Sequence, residues 1–175
     1  DLYACPAGNT GVQMGGWFNK DINSIQDLQG LKIRIPGLAG DVIAKTGAKP
    51  VNIPAGELYT ALQLGTIDAL EWVGPHIDTK MGFQQISKRY YTGWHEPASE
   101  LQFLINKKAF DGLPADLKEI LKVAMRESAY DMWIHGFFEN SKTWQSMKEK
   151  HPDITIKNFP KDVLTELKKQ TETVL

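Results

Sequence analysis

The chain has 175 residues, a formal net charge of −1, 42% hydrophobic and 23% charged residues, and a single cysteine. This balance is typical of a soluble globular protein of ordinary domain size, and the near-neutral charge without a long basic run gives no reason to expect nucleic acid or a membrane surface as a partner. One cysteine excludes an internal disulfide framework, and no apolar run approaches the roughly 18 residues that span a bilayer.

Strand and helix patterns alternate in the first part of the chain. Predicted strands lie at 12–18, 31–35, 50–53 and 67–71, a capped helical turn at 24–30, and helices at 41–46 and 57–65. Strands that alternate with helices of about ten residues are the signature of βαβ units. The sequence therefore predicts an α/β fold with a mainly parallel sheet flanked by helices.

The middle of the chain is less regular. The predictions here are a helix at 75–85 with Ile77, Met81 and Phe83 on its buried face, an aromatic loop at 90–97, and a strand at 100–106. The loop carries a Trp-His-Glu run that sets it apart from ordinary turn sequences.

The longest helical pattern begins at Pro114 and runs to about Lys150. This is long for a globular helix, so it is either two helices that bend near Gly136 or one rod that bridges more than one packing unit. We expect its aromatic residues to lie in a core or an interface. They are Trp133, Phe137, Phe138 and Trp144.

The two ends of the chain suggest a piece of a longer protein. The first residues, Asp1–Pro6, have neither an initiator Met nor a signal-peptide pattern. The pattern of the last stretch, 163–175, predicts a helix that stops without a capping signal. We therefore expect a fragment of a longer precursor, and the alternative is a mature chain left by processing.

Two acidic residues, Glu71 and Glu96, each lie beside a Trp and near a Pro, and Glu71 follows a predicted strand. Ligands of open α/β sheets usually bind where strands end. Two carboxylates with a side-chain amide and a backbone carbonyl suit a hard cation such as Na⁺ or Ca²⁺, and not zinc. Spacing alone does not bring these groups together, and each carboxylate is also explained as a surface or capping group.

Arg34 interrupts an apolar strand pattern. Its planar guanidinium matches a carboxylate with two parallel hydrogen bonds. A buried Arg34 would need an anionic partner, either a ligand or an internal acid, because an unpaired buried charge is very costly. The alternative is a strand residue that faces solvent.

His95 invites an enzymatic interpretation, because a base beside the acid Glu96 can serve acid–base chemistry. However, adjacent residues on an extended segment point to opposite faces. No nucleophile elbow, zinc-type His pair, phosphate loop or dinucleotide fingerprint accompanies this histidine. We therefore expect a structural or surface role for it.

Four stretches resemble the substrate-binding subunits of tripartite ATP-independent periplasmic (TRAP) transporters, in particular the branch that binds 2-oxo acids such as pyruvate, and related lactate. They are 11–18 (GVQMGGWF), 30–37 (GLKIRIPG), 57–75, which ends in EWVGP, and 91–97 (YTGWHEP). The EW and GWHEP elements favour the 2-oxo acid branch over the sialic acid and dicarboxylate branches. The resemblance implies a periplasmic solute-binding protein and not an enzyme.

The resemblance also assigns site residues. Arg34 matches the arginine that clamps the ligand carboxylate. Gln13, Glu71 and Glu96 match side chains around a bound Na⁺ or Ca²⁺, and Trp72 contributes its main-chain carbonyl. Gln13, Glu71 and Trp72 are thereby expected near the ligand as well, since the metal bridges the protein to the carboxylate and keto oxygens of the ligand.

Members of this family have two lobes around a cleft. The resemblance places residues 1–175 in the second lobe together with a long spine helix, and makes 72–94 a crossover segment that normally packs on the first lobe. We expect apolar side chains around 72–91 to be exposed, and such patches favour assembly into a homo-oligomer. The expected partners are a small carboxylate and, in the full-length protein, the TRAP membrane subunits.

Three functions are compatible with these features. The first is the solute-binding component of a TRAP transporter that recognises a small 2-oxo or 2-hydroxy monocarboxylate through an arginine and a metal ion. The second is a truncated lobe that has lost ligand binding and acts as an interaction or structural protein. The third is a metal-dependent 2-oxo acid enzyme, which would need His95 as its base.

Overall fold

Eight strands and seven α-helices make up the computed structural model, which describes all residues from 1 to 175. The strands are β1 (Leu2–Asn9), β2 (Met14–Phe18), β3 (Lys32–Arg34), β4 (Lys49–Val51), β5 (Ala69–Leu70), β6 (Arg89–Thr92), β7 (Glu100–Asn106) and β8 (Thr155–Lys157). The helices are α1 (Gly37–Ala44), α2 (Leu58–Gln63), α3 (Pro75–Lys80), α4 (Phe83–Ile86), α5 (Lys107–Asp111), α6 (Ala115–Lys150) and α7 (Lys161–Val174). Two 3₁₀ turns lie at Ile25–Leu28 and Ala55–Glu57.

Six of the strands form one mixed sheet in the order β4-β3-β5-β2-β6-β8. β3 runs parallel to β4 and β5, and β6 runs parallel to β8. β2 is antiparallel to both of its neighbours, β5 and β6. The predicted α/β class is therefore confirmed, with an antiparallel strand in the middle of a sheet whose other pairings are parallel.

Side chains of the central strands alternate between the two faces of this sheet and contribute to two hydrophobic cores, one on each face. Trp17 and Tyr90 point into the core beneath α2 and α4, where their rings stack at 4.0 Å. Their neighbours Phe18 and Tyr91 point into the core beneath α1 and α7. Successive side chains of a strand face opposite ways, so each strand contributes an aromatic ring to both cores.

α6 is a single unbroken helix of 36 residues, so the rod-like alternative is the correct one. At about 1.5 Å per residue it is roughly 54 Å long. It packs on β1 and α3, and β1 pairs with β7 in a separate two-stranded antiparallel sheet. None of the helices combines the length and the apolar character needed to cross a bilayer.

Most of the exposed large apolar side chains lie on α6 and on the β1-β7 sheet. Trp133, Phe137 and Phe138 are between 50% and 62% exposed, so a core position within this chain is wrong for these three and an interface stays a prediction. Trp144 is half-buried against the core beneath α2 and α4. Further exposed apolar side chains on these elements are Leu2, Leu101, Phe103, Leu104, Leu117, Ile120, Val123, Tyr130 and Ile134.

The expectation that the segment 72–91 exposes apolar side chains is also wrong. Phe83, Tyr90 and Tyr91 are fully buried, because the two tyrosines belong to β6 and fill the cores on either side of the sheet. The predicted aromatic loop thus begins with a strand. In α3, Asp78 is fully buried, whereas Ile77 and Met81 are only half-buried.

A glycine in β2 provides a sharp test of the sheet. At Gly16, φ is +114° and an added Cβ would stand 2.2 Å from the Leu70 carbonyl oxygen of β5. We expect Gly16→Ala to lower the free energy of unfolding by about 3 kcal/mol or more, measured by urea titration. Gly30→Ala is the control, because φ is +71° there but no atom lies within 4 Å, and only about 1 kcal/mol is expected. Equal losses for the two variants would contradict the importance of this backbone contact.

Candidate functional site

The end of β5 is where the predicted site residues meet. Glu71 and Trp72 follow β5 directly, Arg34 ends the parallel neighbour β3, and Gln13 immediately precedes the antiparallel neighbour β2. The Glu71 amide donates to the Arg34 carbonyl at 2.8 Å and extends the β3-β5 pairing by one step. The strand order therefore places these four residues at one edge of the sheet, the position at which α/β folds usually bind ligands.

The Arg34 guanidinium makes three contacts within the chain, and one of its nitrogens is buried without an acceptor. Its Nη1 donates to the Glu71 carbonyl oxygen at 2.8 Å and lies 3.7 Å from the Glu71 carboxylate oxygen Oε2. Its planar group stacks over the Trp72 ring at 4.9 Å. Its Nε is buried without a hydrogen-bond partner. Arg34 is therefore mostly buried beside the internal acid Glu71, which is one of the two alternatives that the sequence left open, and its Nε–H has no acceptor.

The Glu71 carboxyl group is buried, and it accepts a hydrogen bond from Gln13 Nε2. Burial raises the pKa of Glu71 from 4.5 to about 8, although the nearby Arg34 and the Gln13 hydrogen bond lower it; Asp78 and Glu96 raise it further. Burial likewise lowers the pKa of Arg34, against the effect of Glu71. Burial thus favours the protonated form of the Glu71 carboxyl group, and a further positive charge beside it would favour the ionised form.

The side-chain amide of Gln13 meets oxygen atoms of Glu71 and Trp72 beside Arg34. Gln13 Nε2 donates to the Trp72 carbonyl oxygen at 3.1 Å as well as to Glu71, and Gln13 Oε1 is buried without a partner. Rotating the amide by half a turn exchanges its nitrogen and oxygen, which places Oε1 beside the Glu71 and Trp72 oxygens. The chain has no group of three or more His, Cys, Asp or Glu that could hold a metal ion. The donor set is thus mixed carboxylate, amide and carbonyl, which fits a hard cation and not zinc.

Glu96, the remaining predicted residue, lies at the rim of this group. Its side chain is 42% exposed and accepts a hydrogen bond from Ser99 Oγ at 2.8 Å. It lines a cavity of about 380 Å³ together with Gln13, and the close approach of the loop to Gln13 requires Gly93, where a Cβ would stand 2.5 Å from the Gln13 carbonyl oxygen. Glu96 is therefore near the site without touching Glu71.

His95 links the two acids. Its Nε2 lies 3.9 Å from Glu71 Oε1 and 3.8 Å from Glu96 Oε1, and its side chain is only 9% exposed. Burial lowers its pKa, and Glu96 raises it. Of the expected structural or surface role, the surface alternative is wrong and the structural one stays a prediction. The argument from alternating faces fails because residues 94 and 95 form a bend and not a strand.

Two buried residues that the sequence did not reveal hold the loop after β5. Asp78 accepts hydrogen bonds from the Val73 amide at 3.0 Å, Trp17 Nε1 at 3.0 Å and the Tyr90 hydroxyl at 2.8 Å. Burial raises its pKa to about 6, and these hydrogen bonds lower it. An acid in the first helical turn after Gly-Pro is an ordinary feature of a helix start and does not indicate burial.

The second residue is Asn140 of α6. Its Oδ1 accepts from the His76 amide at 3.0 Å, and its Nδ2 donates to the Thr10 carbonyl at 3.0 Å and the Gly136 carbonyl at 2.8 Å. Asn140 thereby ties the long helix both to the start of α3 and to the linker between β1 and β2. An Asn in the middle of a polar helix carries no distinctive sequence signal.

Comparisons with solved structures show close likeness to solute-binding proteins. A TRAP periplasmic solute-binding protein from Colwellia psychrerythraea, with bound calcium and pyruvate, matches at 54% identity and a TM-score of 0.96 over 99% of this chain and 53% of that one. One from Pseudoalteromonas atlantica, with bound sodium and pyruvate, matches at 54% identity and a TM-score of 0.94 over the same shares. One from Bordetella bronchiseptica, a mixed-occupancy dimer with copurified calcium and picolinate, matches at 36% identity and a TM-score of 0.91 over 99% of this chain and 51% of that one.

Among curated proteins, the monocarboxylate 2-oxoacid-binding periplasmic protein all3028 of Nostoc is 49% identical over 73% of this chain and 35% of its own length. The C4-dicarboxylate-binding periplasmic protein DctP of Rhodobacter capsulatus is 33% identical over 75% of this chain and 39% of its own length. The chain thus spans about half of the solved relatives and little more than a third of these curated ones.

A family model matches nearly the whole chain. The family is DctP, the bacterial extracellular solute-binding proteins of family 7, and the match covers residues 3–175. Its members are solute-binding proteins and not enzymes, which confirms that part of the expectation. The solved relatives hold calcium or sodium, the two cations that were expected. The chain therefore belongs to the DctP family of TRAP solute-binding proteins.

Proposed function

We propose that this chain carries the arginine and metal half of a site for a small 2-oxo monocarboxylate such as pyruvate, within a TRAP solute-binding protein. The observation that carries the proposal is the meeting of Arg34, Glu71, Gln13 and the Trp72 carbonyl at one sheet edge. Relatives that are 54% identical to the chain over 53% of their own length hold pyruvate together with calcium or sodium. The periplasm, membrane subunits as partners, and a homo-oligomer belong to the same proposal.

Arg34 provides the anion contact. Its Nε is buried without an acceptor, and an unsatisfied buried donor costs about 1–3 kcal/mol. A ligand carboxylate would accept from this Nε and from the adjacent guanidinium nitrogen in the bidentate arrangement that arginine favours. Stacking on Trp72 and the bond to the Glu71 carbonyl fix the plane of the guanidinium before a ligand arrives.

Gln13, Glu71 and the Trp72 carbonyl would hold the cation. A bound Ca²⁺ or Na⁺ supplies a positive charge that can attract both the carboxylate and the neighbouring keto oxygen of the ligand. Glu71 would lose its proton when the cation is taken up, and Gln13 would present its unpartnered Oε1. Glu96, at the rim, is placed to add a further oxygen after a change of side-chain rotamer. A carboxylate next to a carbonyl or hydroxyl is the ligand class that such a pair of contacts favours.

An interaction protein is the second candidate. The observation in its favour is the set of exposed apolar side chains on α6 and on the β1-β7 sheet, because exposed apolar surface of this kind favours association. We propose that residues 1–175 comprise mostly the second lobe and the spine helix. In a full-length protein, this exposed apolar surface would pack on the first lobe.

The test that separates the candidates is thermal unfolding of the chain with pyruvate, with and without Ca²⁺. A ligand at about a hundred times its dissociation constant stabilises the native state by about 2.7 kcal/mol. We expect a rise in melting temperature with pyruvate that depends on Ca²⁺. A folded chain whose melting temperature does not respond to calcium or pyruvate would favour the interaction protein.

A further inference from the structure

A buried hydrogen-bond network stands directly behind the proposed cation site. The peptide unit between Trp72 and Val73 has its carbonyl oxygen 3.1 Å from Gln13 Nε2 and its amide nitrogen 3.0 Å from Asp78 Oδ1. The next carbonyl, of Val73, accepts from the Met14 amide at 2.7 Å. The peptide unit is therefore held from both sides.

We propose that Asp78 is a positioning residue that aims the Trp72 carbonyl oxygen at the cation. This inference rests on the proposed function. Peptide bonds in this chain are trans, so the N–H and C=O of one unit point in opposite directions. By holding the Val73 N–H on the inner side, Asp78 fixes the direction of the Trp72 carbonyl on the outer side.

The position of Asp78 is itself fixed. Its Oδ2 accepts from Trp17 Nε1 at 3.0 Å and from the Tyr90 hydroxyl at 2.8 Å, which leaves Oδ1 for the Val73 amide. The two donors stack on one another at 4.0 Å and are fully buried in the core between the sheet and the helices α2 and α4. The carboxylate is thus anchored to β2 and β6, and it transfers the rigidity of the core to a loop that has little regular structure.

The arrangement also has an electrostatic consequence. A carboxylate that accepts from an amide N–H polarises the peptide unit and increases the partial negative charge of its carbonyl oxygen. Partners of metal ligands commonly contribute about 10–100-fold to metal affinity in this way. An apolar residue at position 78 would neither fix the direction of the Trp72 carbonyl nor polarise its peptide unit.

The first experiment is a calorimetric titration of the metal-free chain with CaCl₂. Asp78→Asn cannot satisfy the Trp17, Tyr90 and Val73 donors together, because one acceptor oxygen is replaced by an NH₂ group. We expect its calcium affinity to fall about 10–100-fold. Asp78→Glu keeps the charge but moves the carboxylate by one methylene, and a similar fall is expected if position and not charge alone matters.

Ser87→Ala is the matched control. It removes a buried side-chain hydrogen bond to the same sheet, from Ser87 Oγ to the Phe18 carbonyl oxygen of β2 at 2.6 Å, without touching Asp78. We expect a lower melting temperature with nearly unchanged calcium affinity, whereas a merely structural Asp78 would make affinity follow stability in all three variants. Wild-type affinity in Asp78→Asn would overturn the inference and leave the proposed function intact. A wild-type chain that takes up no calcium would overturn both.

A second measurement needs no variant. Amide hydrogen exchange by NMR should show the Val73 N–H protected in the wild-type chain both without and with calcium, since its partner is present before the cation arrives. Rapid exchange of this amide in the folded, calcium-free chain would overturn the inference even if the Asp78 variants do not fold.

Discussion

Replacing Arg34 with Ala is expected to abolish detectable pyruvate binding in calorimetric titration while the chain stays folded. Two charge-assisted hydrogen bonds from the guanidinium to a carboxylate are worth about 1.5–3 kcal/mol each, so their loss lowers affinity by at least about 100-fold. Arg34→Lys keeps the charge but loses the planar fork and the stacking on Trp72. Its pyruvate affinity should therefore lie between those of Arg34→Ala and the wild type.

Arg89→Ala is the control for this experiment. Arg89 also belongs to the central sheet and pairs with Asp21 at 2.6 Å, yet it takes no part in the proposed site. Its removal should leave pyruvate affinity unchanged. Circular dichroism is needed for each variant, because Arg34 also donates to the Glu71 carbonyl. Pyruvate binding of wild-type strength in folded Arg34→Ala would contradict the assignment of Arg34.

The sequence predicted those parts of the fold in which a local pattern and the tertiary structure agree. The alternation in 31–35 corresponds to β3, and the predicted strand at 100–106 coincides with β7. β1 was missed because Pro6 and Gly8 weaken the local strand pattern, and because its partner β7 lies about a hundred residues away, as in the pair Leu2 and Asn106. Pairing at such a distance leaves no trace in local periodicity.

The site residues also divide into those that the sequence indicated and those that only the tertiary structure revealed. Arg34 and Glu71 stand out because a charged residue at the end of an apolar strand needs an explanation, and the strand order then brings them to one edge. Asp78 looks like an ordinary acid in a helix. Its burial depends on Trp17 and Tyr90, which approach it from two other strands. No pattern around residue 78 predicts that environment, so its function becomes visible only in three dimensions.

Replacing Glu71 with Gln is expected to remove most of the effect of pH on the stability of the cation-free chain between about pH 4.5 and 8. Burial raises the Glu71 pKa from 4.5 to about 8, so between these values the folded chain holds a proton that the unfolded chain has released. Stability is therefore highest below the unfolded pKa and falls as pH rises through about 8. The total is on the order of a few kcal/mol, since each pKa unit corresponds to about 1.4 kcal/mol.

Glu71→Gln removes this titration, so its melting temperature should change little across the same range and exceed that of the wild type at alkaline pH. Asp78 leaves a smaller decline at lower pH, because burial raises its pKa from 3.8 to about 6. Glu100→Gln, which changes an exposed carboxylate of β7, is the control and should keep the wild-type profile. A wild-type slope in Glu71→Gln would show that Glu71 does not carry the proton.

Glu71→Gln should bind calcium more weakly than the wild type, although it is more stable than the wild type at alkaline pH without the cation. The number of charged ligands is a main determinant of Ca²⁺ affinity, so loss of the Glu71 carboxylate should weaken calcium binding by about 100-fold or more. In the wild type, calcium uptake near neutral pH should release a proton from Glu71, which calorimetry in buffers of different ionisation enthalpy detects. The cation-free chain is more stable when Glu71 is protonated, whereas cation binding needs Glu71 ionised. The buried carboxylate therefore lowers folding stability at alkaline pH and provides the charge that holds a cation. Calcium uptake without proton release would contradict this link between the buried carboxylate and the proposed function.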